Sequence, residues 1–138
     1  MNTHPYLRAY LAGIAVPTPA MLCGLTGYII LRYVFNVPVP IERMAVFPLA
    51  VVPNAWGLWN VLYLAWHEHW RLPIGAHGAL LPLILIPAGY LAARLFSIDF
   101  IAQNASWMWV AFPLALIMYY LAWKYLVNWC NHLLGVAA

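Results

Sequence analysis

The sequence predicts an all-α integral membrane protein: four transmembrane helices joined by short loops, a proline-bent bundle forming one domain over residues 1–138. Three observations carry that prediction. Hydrophobic residues make up 67% of the chain and charged residues 7%, with a mean hydropathy of +0.83; a soluble domain averages about 25% charged residues. Apolar runs approach or reach the roughly 20 residues needed to cross a hydrocarbon core of about 30 Å. Strict alternation of polar and apolar residues is absent, which argues against a β-barrel.

The first expected span is Ala9–Leu31. Arg8 resembles the basic flank of a secretory signal, but the apolar run is too long for one and contains Pro17 and Pro19, so a retained helix is expected. Leu22 before Cys23 does not suit lipoprotein processing, and neither end carries a lipidation or retention motif. The second span is Ala45–Trp66, the third Ala76–Ala93, and the fourth Trp107–Val127. The third is the shortest and relies on His77 or Arg94 snorkelling at its ends. Between the first two, Pro38 and Pro40 disfavour helix at Val37 and Val39. Arg71-Leu72-Pro73-Ile74-Gly75 reads as a helix stop and restart, and Ser106 reads as the cap of the last helix after a polar connector with Asp99, Gln103 and Asn104.

An even number of spans puts both termini on one side. Arg8, Arg71 and Lys124 then oppose Arg32, Arg43 and Arg94, a tie under the positive-inside rule. The free amino terminus favours both termini in the cytoplasm of a bacterial inner membrane; insertion in both orientations is the alternative. Cys23 and Cys130 fall at depths too different for a disulfide and read as buried thiols.

Chemistry has few places to reside. His4, His67, His69, His77 and His132 share the terminal side, with Glu68 among them. His67, Glu68, His69 and His77, at the end of one helix and the start of the next, form a candidate metal or haem site. The plain alternative is a set of half-solvated interfacial side chains. Trp56, Trp59, Tyr63, Trp66 and Trp70 step by three and four along one face of the second helix, and Asn60 borders it. The fourth helix carries a second seam at Trp109, Phe112, Leu116, Tyr119, Trp123 and Leu126. Facing seams at Trp56, Trp59, Asn60, Tyr63, Trp66, Trp109, Tyr119 and Trp123 are candidates to line a slot for a quinone, carotenoid, sterol, tetrapyrrole or organic cation. Helix packing plus an interfacial aromatic belt is the competing explanation.

Prolines fall in every span, and bends are expected at Pro53 and Pro87. Ala20 with Gly24, Ala88 with Ala92, and Gly89 with Ala93 permit close helix approach. Glu42, Glu68 and Asp99 all lie in connectors, so no mid-bilayer carboxylate is available for proton coupling. No Ser/His/Asp set, phosphate loop or carboxylate pair can be assembled, no motif names a cofactor, and no basic stripe suggests nucleic acid.

Trp59-Asn60-Val61-Leu62-Tyr63 resembles the Trp-x-x-Leu-Tyr of tryptophan-rich sensory proteins of the translocator family, which have five spans; the match is confined to that stretch. The four-span, charge-balanced plan is similar to small multidrug-resistance transporters, whose first-helix glutamate has no counterpart here. The expected partners are the lipid bilayer and either further copies of the chain or a larger membrane complex. The expected function is that of an accessory or scaffold subunit. Apolar-ligand binding or passage, and a haem or metal redox role, are the alternatives.

Overall fold

A computed structural model describes residues 4–38, 41–95 and 108–136, all of them helical or in short turns. The expected cap at Ser106, the connector residues Asp99, Gln103 and Asn104, the start of the fourth span at Trp107, and Val39 and Pro40 lie outside the described residues.

The first span is two helices, α1 (Pro5–Ala15) and α2 (Pro17–Tyr33), parted at Val16. Pro17 and Pro19 lack the N–H groups that would bond back into the preceding turn. The hydroxyl of Thr18 donates to the Ile14 carbonyl across the break at 2.6 Å. The second span is a succession of α3 (Ile41–Met44), a π-helical stretch at Ala45–Ala50, and α4 (Val51–Trp70). Arg71 ends α4 in a left-handed conformation, φ 46°, with its N–H on the His67 carbonyl. The expected break before Gly75 is therefore shorter: α5 (Ile74–Leu95) starts directly after Pro73 and includes both Pro82 and Pro87. The last helix joins α6 (Met108–Leu121), a π-helical stretch at Ala122–Val127, and α7 (Asn128–Leu133). It thus runs past the expected end at Val127. A glycine turn closes it: Gly135, at φ 65°, donates to His132 and Val136 donates to Asn131 at 2.8 Å.

Among the described residues, three helical stretches are long and apolar enough to cross a membrane: Pro5–Tyr33 with 29 residues, Ile74–Leu95 with 22, and Trp109–Leu133 with 25. The expectation of four apolar spans is corrected at α4. Asn54, Asn60, His67, Glu68 and His69 interrupt its aliphatic residues and lower its hydropathy. One face of this helix is nonetheless embedded in protein: Val52, Trp56, Gly57 and Asn60 are buried, and Asn60 meets partners from other helices, whereas Asn54, Glu68 and His69 are exposed.

Glycines set how closely the helices approach. A Cβ on Gly13 of α1 would lie 2.6 Å from the Trp56 carbonyl and 2.8 Å from Gly57 Cα, and one on Gly57 would meet the Tyr10 ring at 2.6 Å. Backbones touch at that crossing, as they can only where both residues are small. Gly78 of α5 gives the same close approach to Trp123, whose indole occupies the space a Cβ would need. The core behind these crossings joins Val52 and Trp56 to Leu81, Leu85, Trp123 and Val127.

α2 is thinly packed. Only Pro17 is buried along it, while Leu22, Ile29, Ile30, Leu31 and Tyr33 are exposed. Cys23, expected to be buried, is exposed with them, because little of the chain packs on this helix. Gly24 and Gly27 face open space. Among the expected close-approach pairs, Ala20 is exposed and Gly24 faces open space, whereas Ala93 is buried. Arg32 at the end of α2 pairs with Glu42 of α3 at 2.9 Å.

Candidate functional site

The aromatic face of α4 forms the densest part of the interior. Trp56 is 5% exposed, and its ring lies 4.9 Å from Tyr119 and 5.5 Å from Trp123, centroid to centroid. Trp59 stacks on His77 at 4.9 Å and 26°. The rings fill the space between helices. Such pairs add about 0.5–1.5 kcal/mol each beyond area burial. The indole N–H groups of Trp56 and Trp123 are buried with no acceptor among the described residues.

A two-way clasp ties α4 to the start of α5. Trp59 Nε1 donates to the His77 carbonyl at 2.9 Å, and His77 Nε2 lies 3.1 Å from the Trp59 carbonyl. Since a carbonyl only accepts, His77 carries its proton on Nε2. One turn along α4, Tyr63 lies 5.2 Å from His77 and 5.9 Å from His67. His67 Nδ1 is 2.9 Å from the Leu64 carbonyl, which places that ring's proton on Nδ1. Tyr63, Trp66, His67, Leu72 and His77 line a shallow notch too tight to enclose a water molecule.

A second polar knot lies deeper. Asn60, 1% exposed, donates through Nδ2 to the Ala9 carbonyl and to Asn131 Oδ1, both at 2.7 Å. Asn131 Nδ2 donates back to Asn60 Oδ1 at 3.3 Å. The pair joins α1, α4 and α7 within apolar surroundings, where an unpaired amide would be costly. Nearby, the Tyr10 hydroxyl donates to Asn54 Oδ1, and Asn54 Nδ2 donates to the Ala50 carbonyl at 2.7 Å.

The expected residues therefore divide into groups. Trp56, Asn60, His77 and Trp123 are buried; Trp59, Tyr63, His67 and Tyr119 are half-buried. Trp66 is 47% exposed at the rim of the notch, and Trp109 is 86% exposed, away from the rings. Of the seam expected from Trp109 to Leu126, Phe112, Leu116 and Tyr119 are half-buried and Trp123 is buried, while its two ends are exposed. The π-helical stretch at Ala122–Val127 inserts extra residue per turn, so Trp123 and Val127 face inward while Leu126 faces outward. Glu68 and His69 are exposed, on other faces of α4 from His67. Of the expected metal set the structure brings only His67 and His77 around one notch, and no group of three or more His, Cys, Asp or Glu gathers among the described residues.

Sequence reasoning missed Asn131, which lies beyond the expected end of the last span at Val127, and the glycines at 13, 57 and 78. Asn131 had one available signal: it lies among Trp129, Leu133 and Leu134, a continuation of apolar helix. Comparison with protein-family models, with curated proteins and with solved structures gives no match.

Proposed function

We propose that the chain is a small integral membrane protein that acts through its outward helix surfaces, as an accessory or scaffold subunit of a larger membrane complex. One observation supports this above the others: the aromatic ridge of α4 is taken up in ring-to-ring packing, with no room for a quinone, sterol or tetrapyrrole between the rings. Recognition then falls to the outside. α2 offers the least-covered surface, with Gly24 and Gly27 open beside exposed aliphatic residues.

In this reading all four helical stretches cross a bacterial inner membrane, with both termini on one side. α4 crosses despite its modest hydropathy because Asn54 and Asn60 are bonded within the bundle. The test is a photo-crosslinking residue at Gly24 or Gly27 in cells, followed by native extraction and mass analysis. The expected product is a discrete adduct with one membrane protein or a second copy of the chain. Adducts to lipid alone, together with a co-purifying chromophore or apolar ligand, would replace the scaffold reading with ligand binding.

A further inference from the structure

We propose that His67 and His77 form a two-imidazole site for a soft monovalent cation, Cu(I), in the notch at the junction of α4 and α5. This goes beyond the scaffold reading and does not depend on it.

The protonation pattern is the starting point. Each ring has one nitrogen committed to a backbone carbonyl: His67 Nδ1 to Leu64 and His77 Nε2 to Trp59. Each carbonyl demands an N–H donor, so each neutral ring keeps its lone pair on the other nitrogen. His67 Nε2 and His77 Nδ1 have no hydrogen-bond partner among the described residues, and neither is among the buried polar atoms that lack one. A ring N–H bonded to a backbone carbonyl is also the usual outer-shell support of a metal-binding histidine: it fixes the ring and raises the basicity of the ligating nitrogen. Two such rings on consecutive helices line one notch and flank one tyrosine, Tyr63.

The surroundings choose the ion. Among the described residues no carboxylate or thiolate lines the notch; its other walls are Tyr63, Trp66 and Leu72. A divalent ion there would have no opposite charge to neutralise it and no space for the waters that would complete its shell. Zinc takes four ligands in tetrahedral geometry, and the notch offers at most three donor side chains, His67, His77 and the Tyr63 phenol. Cu(I) is satisfied by two nitrogen donors in a line, carries a single charge, and is held well beside aromatic faces. Trp59, stacked on His77, makes the site visible by fluorescence.

The purified full chain in detergent, titrated anaerobically with Cu(I) against a chromophoric Cu(I) chelator, tests the assignment. The expected result is one Cu(I) per chain with quenched tryptophan emission and X-ray absorption showing nitrogen scatterers without sulfur. His67→Ala, at the half-exposed end of α4, should weaken binding by at least about a hundredfold, more than loss of an outer-shell partner alone. His69→Ala, whose ring is exposed outside the notch, should bind as the parent does. His77→Gln should also lose binding, and its circular dichroism reports whether the fold survives; the His67 variant decides the matter if it does not. A sulfur scatterer would assign the copper to Cys23 or Cys130 and overturn the proposal. So would parental affinity in His67→Ala, or no stoichiometric binding at all.

Discussion

Replacing Asn60 with leucine should destabilise the bundle more than replacing Asn60 and Asn131 together. Asn60 takes part in three hydrogen bonds, two at 2.7 Å and one at 3.3 Å. Interhelical bonds in membrane proteins average about 0.6 kcal/mol, so their loss accounts for about 2 kcal/mol. Asn60→Leu also strands the whole Asn131 amide, 3% exposed, at a further cost of about 1–3 kcal/mol. The single variant should therefore lose about 4 kcal/mol. Asn131→Leu is milder, about 2 kcal/mol, because Asn60 Nδ2 keeps the Ala9 carbonyl. In the double variant no amide is stranded, and the loss returns to about 2 kcal/mol. Reversible unfolding in mixed detergent micelles, followed by tryptophan fluorescence, measures all three. Adding Asn131→Leu to Asn60→Leu should thus restore stability. A double variant weaker than Asn60→Leu, near the sum of the singles, would mean that the two amides do not bond to each other.

Gly78→Ala should destabilise the protein by about 1–3 kcal/mol, the usual range for overpacking, because the new methyl falls on the fully buried Trp123; Gly24→Ala, which meets nothing, should be neutral or slightly stabilising in the same assay. Trp59→Phe keeps most of the ring but removes the donor to the His77 carbonyl, and should lose about 1 kcal/mol, whereas Trp59→Ala should lose about 3–5 kcal/mol by opening a void. A Trp59→Phe variant as stable as the parent would deny the hydrogen bond a role. Trp109→Ala, at a site 86% exposed, should leave the stability of the isolated chain unchanged within about 0.5 kcal/mol; a larger loss would show that a second molecule covers that ring.

Helicity and the presence of helices apolar enough to cross a membrane were legible because both follow from local quantities: run length, the near absence of charge, and the lack of a two-residue period. The ridge at Trp56, Trp59 and Tyr63 was legible too, since a run of threes and fours keeps side chains on one face whatever packs there. Register in the last helix was not. Its π-helical stretch turns Val127 rather than Leu126 inward, and an α-helical count cannot anticipate extra residues in a turn.

Sequence by itself determined the class of the molecule, an all-helical chain with apolar helices fit for a bilayer, because transfer into hydrocarbon depends on composition summed along a segment. Only the tertiary structure decided which polar groups the interior keeps. Asn60 and Asn131 lie 71 positions apart, and each satisfies part of the other's amide within an apolar interior. The glycines at 13, 57 and 78 belong to the same category: each matters for the backbone or ring brought against it from another helix. His67 and His77 are intermediate. Their nearness in sequence is plain, but the orientation of their free nitrogens depends on carbonyls that only the folded helices present.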